Sequence, residues 1–270
     1  LPGDYPFVVQ KFVSGVIGVN SVRNTGVRLA RGEWFYFIDD DCQLIHPKHL
    51  RYLFDQLDLL EPPFIGIGGG YIAPACAGLA DMAYLLTCQH WLDVSSTEDG
   101  SFHLVGGNAC LSRSIFDAGY TFNEAIKFGG AETELNLRLC SDGYRFLYDP
   151  ALSILHNTQL SLSKLCRKAF LQGIGWGVRE YYGVKELSGQ RATLKQYLKS
   201  QNFSGFAKKI FGVYILFYDV FYLAGFKYFK LEKTTNINRG SALFVLIFEL
   251  ERRLLSFLKS TRLGRFYQSG

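Results

Sequence analysis

The chain has 270 residues, of which 48% are hydrophobic and 20% charged, a composition that excludes a disordered protein and allows one domain with an appendage. Its net charge of +5 is unevenly divided: residues 1–160 carry 10 Lys+Arg against 18 Asp+Glu, and residues 161–270 carry 19 against 6. The six cysteines form no Cys-x-x-Cys pair and no zinc-finger spacing, so disulfides and a structural zinc site are not expected. There is no initiator Met and no secretory signal, which favours a piece of a longer or processed protein.

Up to about residue 156 the sequence alternates between strand and helix patterns, which predicts an α/β domain. Residues 34–38 (WFYFI) predict a buried strand that ends in Asp39-Asp40-Asp41, at the kind of strand end where open α/β sheets bind ligands. Helices are predicted over 21–30, 47–60 and 132–140, and strands over 64–67, 145–148 and 152–156, with two strand pieces over 102–112 interrupted by Gly106-Gly107.

From Ser161 onward the periodicity predicts only helices, over 161–183, 190–200, 205–230 and 240–260, with a polar linker over 232–240. Gly173, Gly175 and Gly177 imitate a dinucleotide-binding fingerprint. They lie inside a helical pattern rather than after a strand, so that interpretation is rejected.

The apolar run over 210–226 is 17 residues long and contains Asp219, whereas a helix needs about 20 apolar residues to cross a bilayer. Its aromatic residues and the flanking Lys209 and Lys227 suit a membrane interface, so association with an anionic membrane surface is expected. A helical bundle packed on the rest of the chain or on another subunit is the alternative, and a full span is a third. Nucleic acid is not an expected partner, because no binding motif accompanies the basic charge.

The acidic triplet is the strongest candidate for chemistry. Asp39 and Asp41 are separated by one residue, so strand alternation places them on one side while Asp40 points elsewhere. Two such carboxylates can bind a hard divalent cation, which in turn can stabilise a departing diphosphate. A solvated turn is the ordinary alternative. At the end of a buried strand, however, three unpaired carboxylates would repel one another, so bound Mn²⁺ or Mg²⁺ is expected.

Two segments, SVRNTGVRLARGEWFYFIDDDC (21–42) and GGNACLSRSIFDAGYTFNEAIKFGGAETELNLRLCSDGYRFLYDPALSILHN (106–157), resemble family 2 glycosyltransferases of the GT-A fold. The resemblance spans about residues 14–180. It implies a Rossmann-like mixed sheet flanked by helices, with residues 1–184 as the catalytic domain and 185–270 as a helical membrane-associating or assembly region. The strands that open the family's fold and hold the nucleotide base are not recognisable before residue 21, and their omission from the chain is the favoured interpretation.

The resemblance also implies an activity: inverting, metal-dependent transfer of a sugar from a nucleotide-diphosphate donor to a hydroxyl of a glycan or lipid-linked acceptor. The implied setting is cell-surface polysaccharide synthesis at the cytoplasmic face of the cell membrane. By position, Glu132 is the general base, which takes the acceptor proton. The implied binding residues are Asp39, Asp41 and His156 for the metal, Arg23, Asn24 and Asp40 for the donor, and Gly107 and Asn108 for the donor sugar and acceptor.

Several of these residues have ordinary structural alternatives. Asn24 can be a helix cap, His156 a satisfied structural histidine, and Glu132 a charge that complements the positive end of a helix. Trp91 and Trp176 are either platforms for a sugar ring or core residues. Ala131 stands where the family usually has an acidic residue, and this favours the competing hypothesis of a non-catalytic remnant that binds a partner or a membrane. A homo-oligomer is left open.

Overall fold

The computed structural model describes residues 18–127, 130–181, 183, 197–198 and 200–235. The helices are α1 (Val19–Leu29), α2 (His49–Leu57), α3 (Leu79–Ser95), α4 (Arg113–Asp117), α5 (Ala131–Ser141), α6 (Leu162–Tyr181) and α7 (Gly205–Thr235). The strands are β1 (Trp34–Ile38), β2 (Cys42–Gln43), β3 (Phe64–Gly68), β4 (Tyr71–Ile72), β5 (Ser96–Thr97), β6 (Gly100–Ser101), β7 (Asn108–Ser112), β8 (Arg145–Tyr148) and β9 (Ile154–His156).

Six strands form a mixed sheet in the order β1-β7-β3-β8-β6-β5, and β2-β9-β4 form a smaller sheet. Strand β7 is antiparallel to both β1 and β3, and β3 is parallel to β8, so β1, β3 and β8 all run in the same direction. Their carboxyl ends therefore meet at one edge, where β7 begins. This confirms the predicted α/β class with a mixed sheet flanked by helices and a helical C-terminal part.

Alternating side chains of the large sheet enter two different cores, as the pleat requires. On one face, Leu111 of β7 and Phe146 of β8 pack with residues of α4 and α5. On the other face, their neighbours Cys110 and Leu147 pack with residues of α2. The sheet is thus covered on both faces, which holds the ends of its strands in fixed positions.

A third core joins the helices α3, α6 and α7. It contains Tyr84 of α3, Ala169 of α6 and Ile215 of α7. Helices α6 and α7 approach so closely that a Cβ on Gly225 would stand 1.9 Å from the carbonyl oxygen of Phe170. A Cβ on Gly173 of α6 would likewise stand 1.8 Å from the carbonyl oxygen of Tyr222, so this glycine serves helix packing, in agreement with the rejection of a dinucleotide fingerprint.

Most of the predicted elements are present with boundaries shifted by a few residues. The sequence analysis missed α3, α4 and the short strands β2, β4, β5 and β6. Of the two strand pieces predicted over 102–112, only β7 is a strand, and Leu152, the predicted start of the last strand, belongs to a 3₁₀ turn over 150–152. Residues 232–235 of the predicted linker belong to α7 instead, and the rest of that linker lies outside the described residues. The predicted helix over 240–260 and most of that over 190–200 lie outside the described residues, as does the proposed boundary at residue 184.

Among the described residues, one helix is long and apolar enough to cross a membrane, over Gly205–Lys230, by length and composition alone. One third (33%) of its most apolar window is buried against the rest of the chain. Phe211 and Tyr218 are among the side chains that pack into the third core. The inner face of α7 is therefore occupied by the protein itself.

The close approach of α6 and α7 predicts that Gly225→Ala destabilises the protein by about 1–3 kcal/mol, because the added methyl group overpacks the contact. Gly212→Ala in the same helix is the matched control: its new Cβ would lie 3.9 Å from the nearest side-chain atom. That control should stabilise the helix by roughly 0.5–1 kcal/mol. Urea unfolding of both variants measures the difference, and equal stabilities would contradict the packing.

Candidate active site

The candidate site lies at the edge where β1, β3 and β8 end. Each of these strands continues into the smaller sheet: β1 into β2, β3 into β4 and β8 into β9. Cys42 of β2 pairs with His156 of β9, and the N–H of Asn157 donates to the carbonyl oxygen of Asp41 over 2.8 Å. The smaller sheet thereby brings His156 to the turn that follows β1, at the edge where ligands bind in open α/β sheets.

Asp41 and His156 form the first half of the site. The His156 Nε2 atom lies 3.1 Å from Asp41 Oδ1, and potential ligand atoms of Asp41, Cys42 and His156 all lie within 4.8 Å of one another. The hydrogen bond with His156 lowers the pKa of Asp41 although burial opposes this. Burial, reinforced by the nearby Asp39 and Asp41, raises the pKa of the Cys42 thiol to about 12, so this thiol is protonated at neutral pH.

Asp39 faces a different neighbour. Its Oδ1 lies 3.5 Å from Nη2 of Arg23, a side chain that is only 10% exposed. Burial raises the pKa of Asp39, Arg23 opposes this rise, and the charges of Glu132 and Asp41 add to it. Gly107 lies directly against this carboxylate, because a Cβ there would stand 2.2 Å from Asp39 Oδ2.

Glu132 lies in the first turn of α5, after Gly130, whose φ of 60° is left-handed. Its Oε2 is 3.5 Å from Nη1 of Arg23, so one guanidinium lies between Glu132 and Asp39. Burial alone would raise the pKa of Glu132. The charge of Arg23, together with His103, a backbone hydrogen bond and the charge of Arg179, outweighs burial and leaves the pKa of Glu132 below its usual value. Glu132 is therefore ionised at neutral pH.

Arg23, Asp39 and Glu132 open into one cleft with a volume of about 290 Å³, whereas Asp41 and His156 are not among its lining residues. Asp39, Gly106, Gly107 and Glu132 line it on the side of the sheet. The opposite wall is helical and consists of Tyr84, Thr87 and Trp91 from α3, Lys168 and Gln172 from α6, and Tyr218 and Tyr222 from α7. The C-terminal helix is thus part of the cleft wall.

Two predicted contacts with the sugar or donor receive a structural role instead. Asn108 is 0% exposed, and its side-chain amide donates to the carbonyl oxygens of Gly70 and Leu152 while its Oδ1 accepts from the Tyr36 hydroxyl. These bonds occupy its side chain inside the core.

Asn24 is likewise buried and points away from the cleft. Its amide donates to the Phe122 carbonyl oxygen and to Glu124, and its Oδ1 accepts from the Phe122 N–H. Both asparagines therefore hold backbone segments, and a contact of either with the ligand stays a prediction.

The remaining predicted residues fall at different depths. Asp40 is exposed at the turn. Trp91 lines the cleft, whereas Trp176 is buried and stacks on Phe226 with ring centroids 3.7 Å apart. Trp176 is thus a core residue, and Trp91 remains a candidate platform for a sugar ring.

Four cleft residues were missed by the sequence analysis: Tyr71, His103, Lys168 and Arg179. The Tyr71 hydroxyl accepts from the Gly107 N–H over 3.0 Å, and its ring lies 4.1 Å from that of His156. Tyr71 therefore fixes the glycine turn against the histidine. No local pattern marks these residues, since each reaches the cleft through long-range packing.

Asp41 and His156, with Asp39 beside them, form an acidic corner whose side chains fit a divalent cation such as Mn²⁺. Carboxylate oxygens suit hard divalent ions, and imidazole is a common nitrogen ligand for transition metals. Asp41 and His156 already meet, and Asp39 borders the same corner with a pKa raised in part by the other carboxylates. A bound cation would relieve that repulsion. Cys42 is the weaker candidate ligand, because its protonated thiol would first have to lose its proton.

No known protein-family model matches the chain, and no curated protein matches it. Among solved structures, a mannosyltransferase from Pyrobaculum calidifontis, determined in complex with GDP-mannose and Mn²⁺, is similar with a TM-score of 0.47 and 13% sequence identity. The alignment covers 93% of this chain and 63% of that one, so the chain spans less than two thirds of that protein. A similarity of this size identifies neither a family nor an activity.

The corner predicts that Asp41→Asn and His156→Gln each weaken Mn²⁺ binding by at least about tenfold, because each removes a ligand or its orientation. Asp40→Asn is the matched control from the same turn and should bind like the parent. Cys42→Ser should also change little, since its thiol is protonated. Calorimetric titration of the four variants with MnCl₂ checks this, and undiminished binding by both Asp41→Asn and His156→Gln would refute the assignment.

Proposed function

We propose that the chain is the catalytic part of a metal-dependent, inverting glycosyltransferase of the GT-A fold, which moves a sugar from a nucleotide diphosphate to a hydroxyl group. The observation that carries the proposal is the placement of Asp39 and Glu132 on either side of Arg23 in one cleft, with the Asp41–His156 pair in the turn that follows Asp39. Asp41 and His156 form one corner, Glu132 stands apart from them, and Arg23 lies between Glu132 and Asp39. The two sequence segments that resemble family 2 glycosyltransferases support the same proposal.

Inverting transfer needs a base on one side of the reacting carbon and a stabilised leaving group on the other. Glu132 suits the base because it is ionised at neutral pH and lines the cleft. In the proposed step the acceptor hydroxyl gives its proton to the Glu132 carboxylate as its oxygen bonds to the anomeric carbon. The bond from that carbon to the diphosphate oxygen breaks, and the diphosphate leaves with the electron pair.

Asp41 and His156, with Asp39, would hold the metal, which when bound supplies positive charge for the diphosphate. Arg23 has the complementary task of orienting Glu132, because its guanidinium is shared with Asp39. Gly106 and Gly107 would let the donor sugar approach the backbone, since neither carries a side chain to fill the cleft.

The proposed setting is the cytoplasmic face of the cell membrane, where the acceptor would be a glycan or a lipid-linked sugar used in cell-surface polysaccharide synthesis. The outer side of α7 supports membrane association: Phe206 is 75% exposed, Val213 is also exposed, and Lys209 lies between them in an exposed position. Sedimentation with anionic and neutral vesicles tests this part, and equal binding to both would exclude the electrostatic contribution.

Glu132→Gln tests the enzymatic proposal directly. The amide keeps the size of the side chain but cannot accept the proton, so turnover should fall by about 10²–10⁴-fold while donor affinity is retained. Glu98→Gln is the matched control, because Glu98 is an exposed residue of the β5–β6 hairpin. Hydrolysis of UDP-, GDP- and dTDP-sugars by the complete chain with Mn²⁺ provides the assay.

Two results would count against the proposal in different ways. Turnover of Glu132→Gln within threefold of the parent would show that another group takes the proton. Absence of turnover by the parent with every donor, despite bound Mn²⁺, would favour a non-catalytic module that binds a partner.

A further inference from the structure

Lys168 is the cation that best fits an anion-binding role in the cleft. It lies in α6, is partly buried, and lines the cleft together with Asp39. Its Nζ lies 4.1 Å from the centroid of the Tyr84 ring. Lys164, one turn earlier in the same helix, is exposed and donates only to the Gln159 carbonyl oxygen at 3.4 Å. The two lysines therefore have the same chemistry in different surroundings.

The Lys168 ammonium group is connected to the acidic corner through packed rings. The Tyr84 ring lies 6.1 Å from the His156 ring, and His156 in turn lies 3.1 Å from Asp41. The pKa of Asp41 is lowered mainly by the His156 hydrogen bond, and the charge of Lys168 contributes to the same lowering. Lys168 thus acts electrostatically on the corner without forming an ion pair with it.

Lys168 has no carboxylate partner among the residues that the structure describes, although it is partly buried. Arg23, by contrast, is shared between Asp39 and Glu132, and Lys230 lies 2.9 Å from Glu180. A partly buried ammonium group without a counter-charge loses hydration without compensation. An anion bound in the cleft would supply that compensation.

We propose that Lys168 forms an anion subsite beside the acidic corner of Asp39, Asp41 and His156 and binds a phosphate group of the donor diphosphate. This inference rests on the proposed function and adds a residue of α6 to the leaving-group side of the site. The diphosphate gains negative charge as its bond to the sugar breaks. Arg23 is already shared between two carboxylates, so Lys168 is a cleft cation whose charge is available to stabilise the departing group.

The competing role for Lys168 is packing alone, as a cation held over the Tyr84 ring. The two roles differ in what they need. Packing needs the aliphatic stem and the ring, whereas phosphate binding needs the positive charge. Lys168→Met keeps most of the stem and removes the charge, and Lys168→Arg keeps the charge over the ring.

The test uses inorganic pyrophosphate as the probe, because it carries the diphosphate without a nucleoside or a sugar. Calorimetry of the complete chain saturated with Mn²⁺ should give a 10- to 100-fold weaker pyrophosphate affinity for Lys168→Met, the usual effect of losing one charge-assisted hydrogen bond. Lys164→Met should bind like the parent, and Lys168→Arg should remain within a few-fold of it. Melting temperatures of the variants show whether each remains folded.

The inference is overturned if Lys168→Met binds pyrophosphate as the parent does, if the parent does not bind it, or if Lys168→Arg loses as much affinity as Lys168→Met. These failures are distinct from failure of the proposed function. Donor turnover that depends on Glu132, with pyrophosphate binding unaffected by Lys168→Met, would leave the transferase proposal intact and remove only the subsite. Weaker binding by Lys168→Met in a chain that turns over no donor would support the subsite and refute the transferase.

Discussion

The Arg23 guanidinium lies between two carboxylates that come from distant parts of the chain, 3.5 Å from Asp39 and 3.5 Å from Glu132. Through it α1, the end of β1 and the first turn of α5 meet in one place. Two like charges at this depth would repel each other and resist desolvation without a shared cation. The geometry leaves no room for a side chain on the adjoining turn, since a Cβ on Gly106 would stand 2.6 Å from Arg23 Nη2.

The same constraint separates two chemical regions at this edge of the sheet. On one side, Asp41 and His156 meet because the smaller sheet continues the strands past the edge of the large one. On the other side, Glu132 faces the cleft from the start of a helix. Arg23 lies between these regions, because its guanidinium contacts Asp39 of the first region and Glu132 of the second. In the proposed function, the first region would hold the metal and the second would supply the base.

The helical part of the chain contributes to this site. Tyr218 and Tyr222 of α7 line the cleft, and the Tyr218 hydroxyl donates to Gln172 of α6. The sequence suggested a basic, aromatic appendage at a membrane surface, yet the inner face of α7 shares a core with α3. The proposed membrane association would therefore involve the outer side of α7, whereas its inner side belongs to the helical wall of the cleft.

The elements found from the sequence are those with a local signal. Strand β1 has an aromatic run with an abrupt acidic end, and α2 has apolar residues at helical spacing. Helix α3 was not predicted because its own apolar or buried residues, including Ala80, Tyr84 and Leu92, are distributed around the helix. It therefore lacks the polar stripe that marks a surface helix.

Site residues divide in the same way. Asp39 and Asp41 could be named because charge at a strand end is visible locally, whereas Glu132 was named through the family resemblance. The structural roles of Asn24 and Asn108 could not be predicted, since a buried asparagine that satisfies backbone groups has the same local sequence as one that binds a ligand. Lys168 reaches the cleft only through the packing of α6 on α3, which no local pattern encodes.

The most direct test of the Arg23 bridge is the pKa of the Glu132 carboxyl, measured by ¹³C NMR titration in the parent and in Arg23→Gln. The charge of Arg23 offsets the effect of burial, so the parent should titrate below the ordinary glutamate value of about 4.3 and Arg23→Gln above it. Arg28→Gln, from an exposed position on the same helix, should titrate like the parent. An unchanged pKa in Arg23→Gln would contradict the account, because Glu132 would then owe its ionisation to other groups.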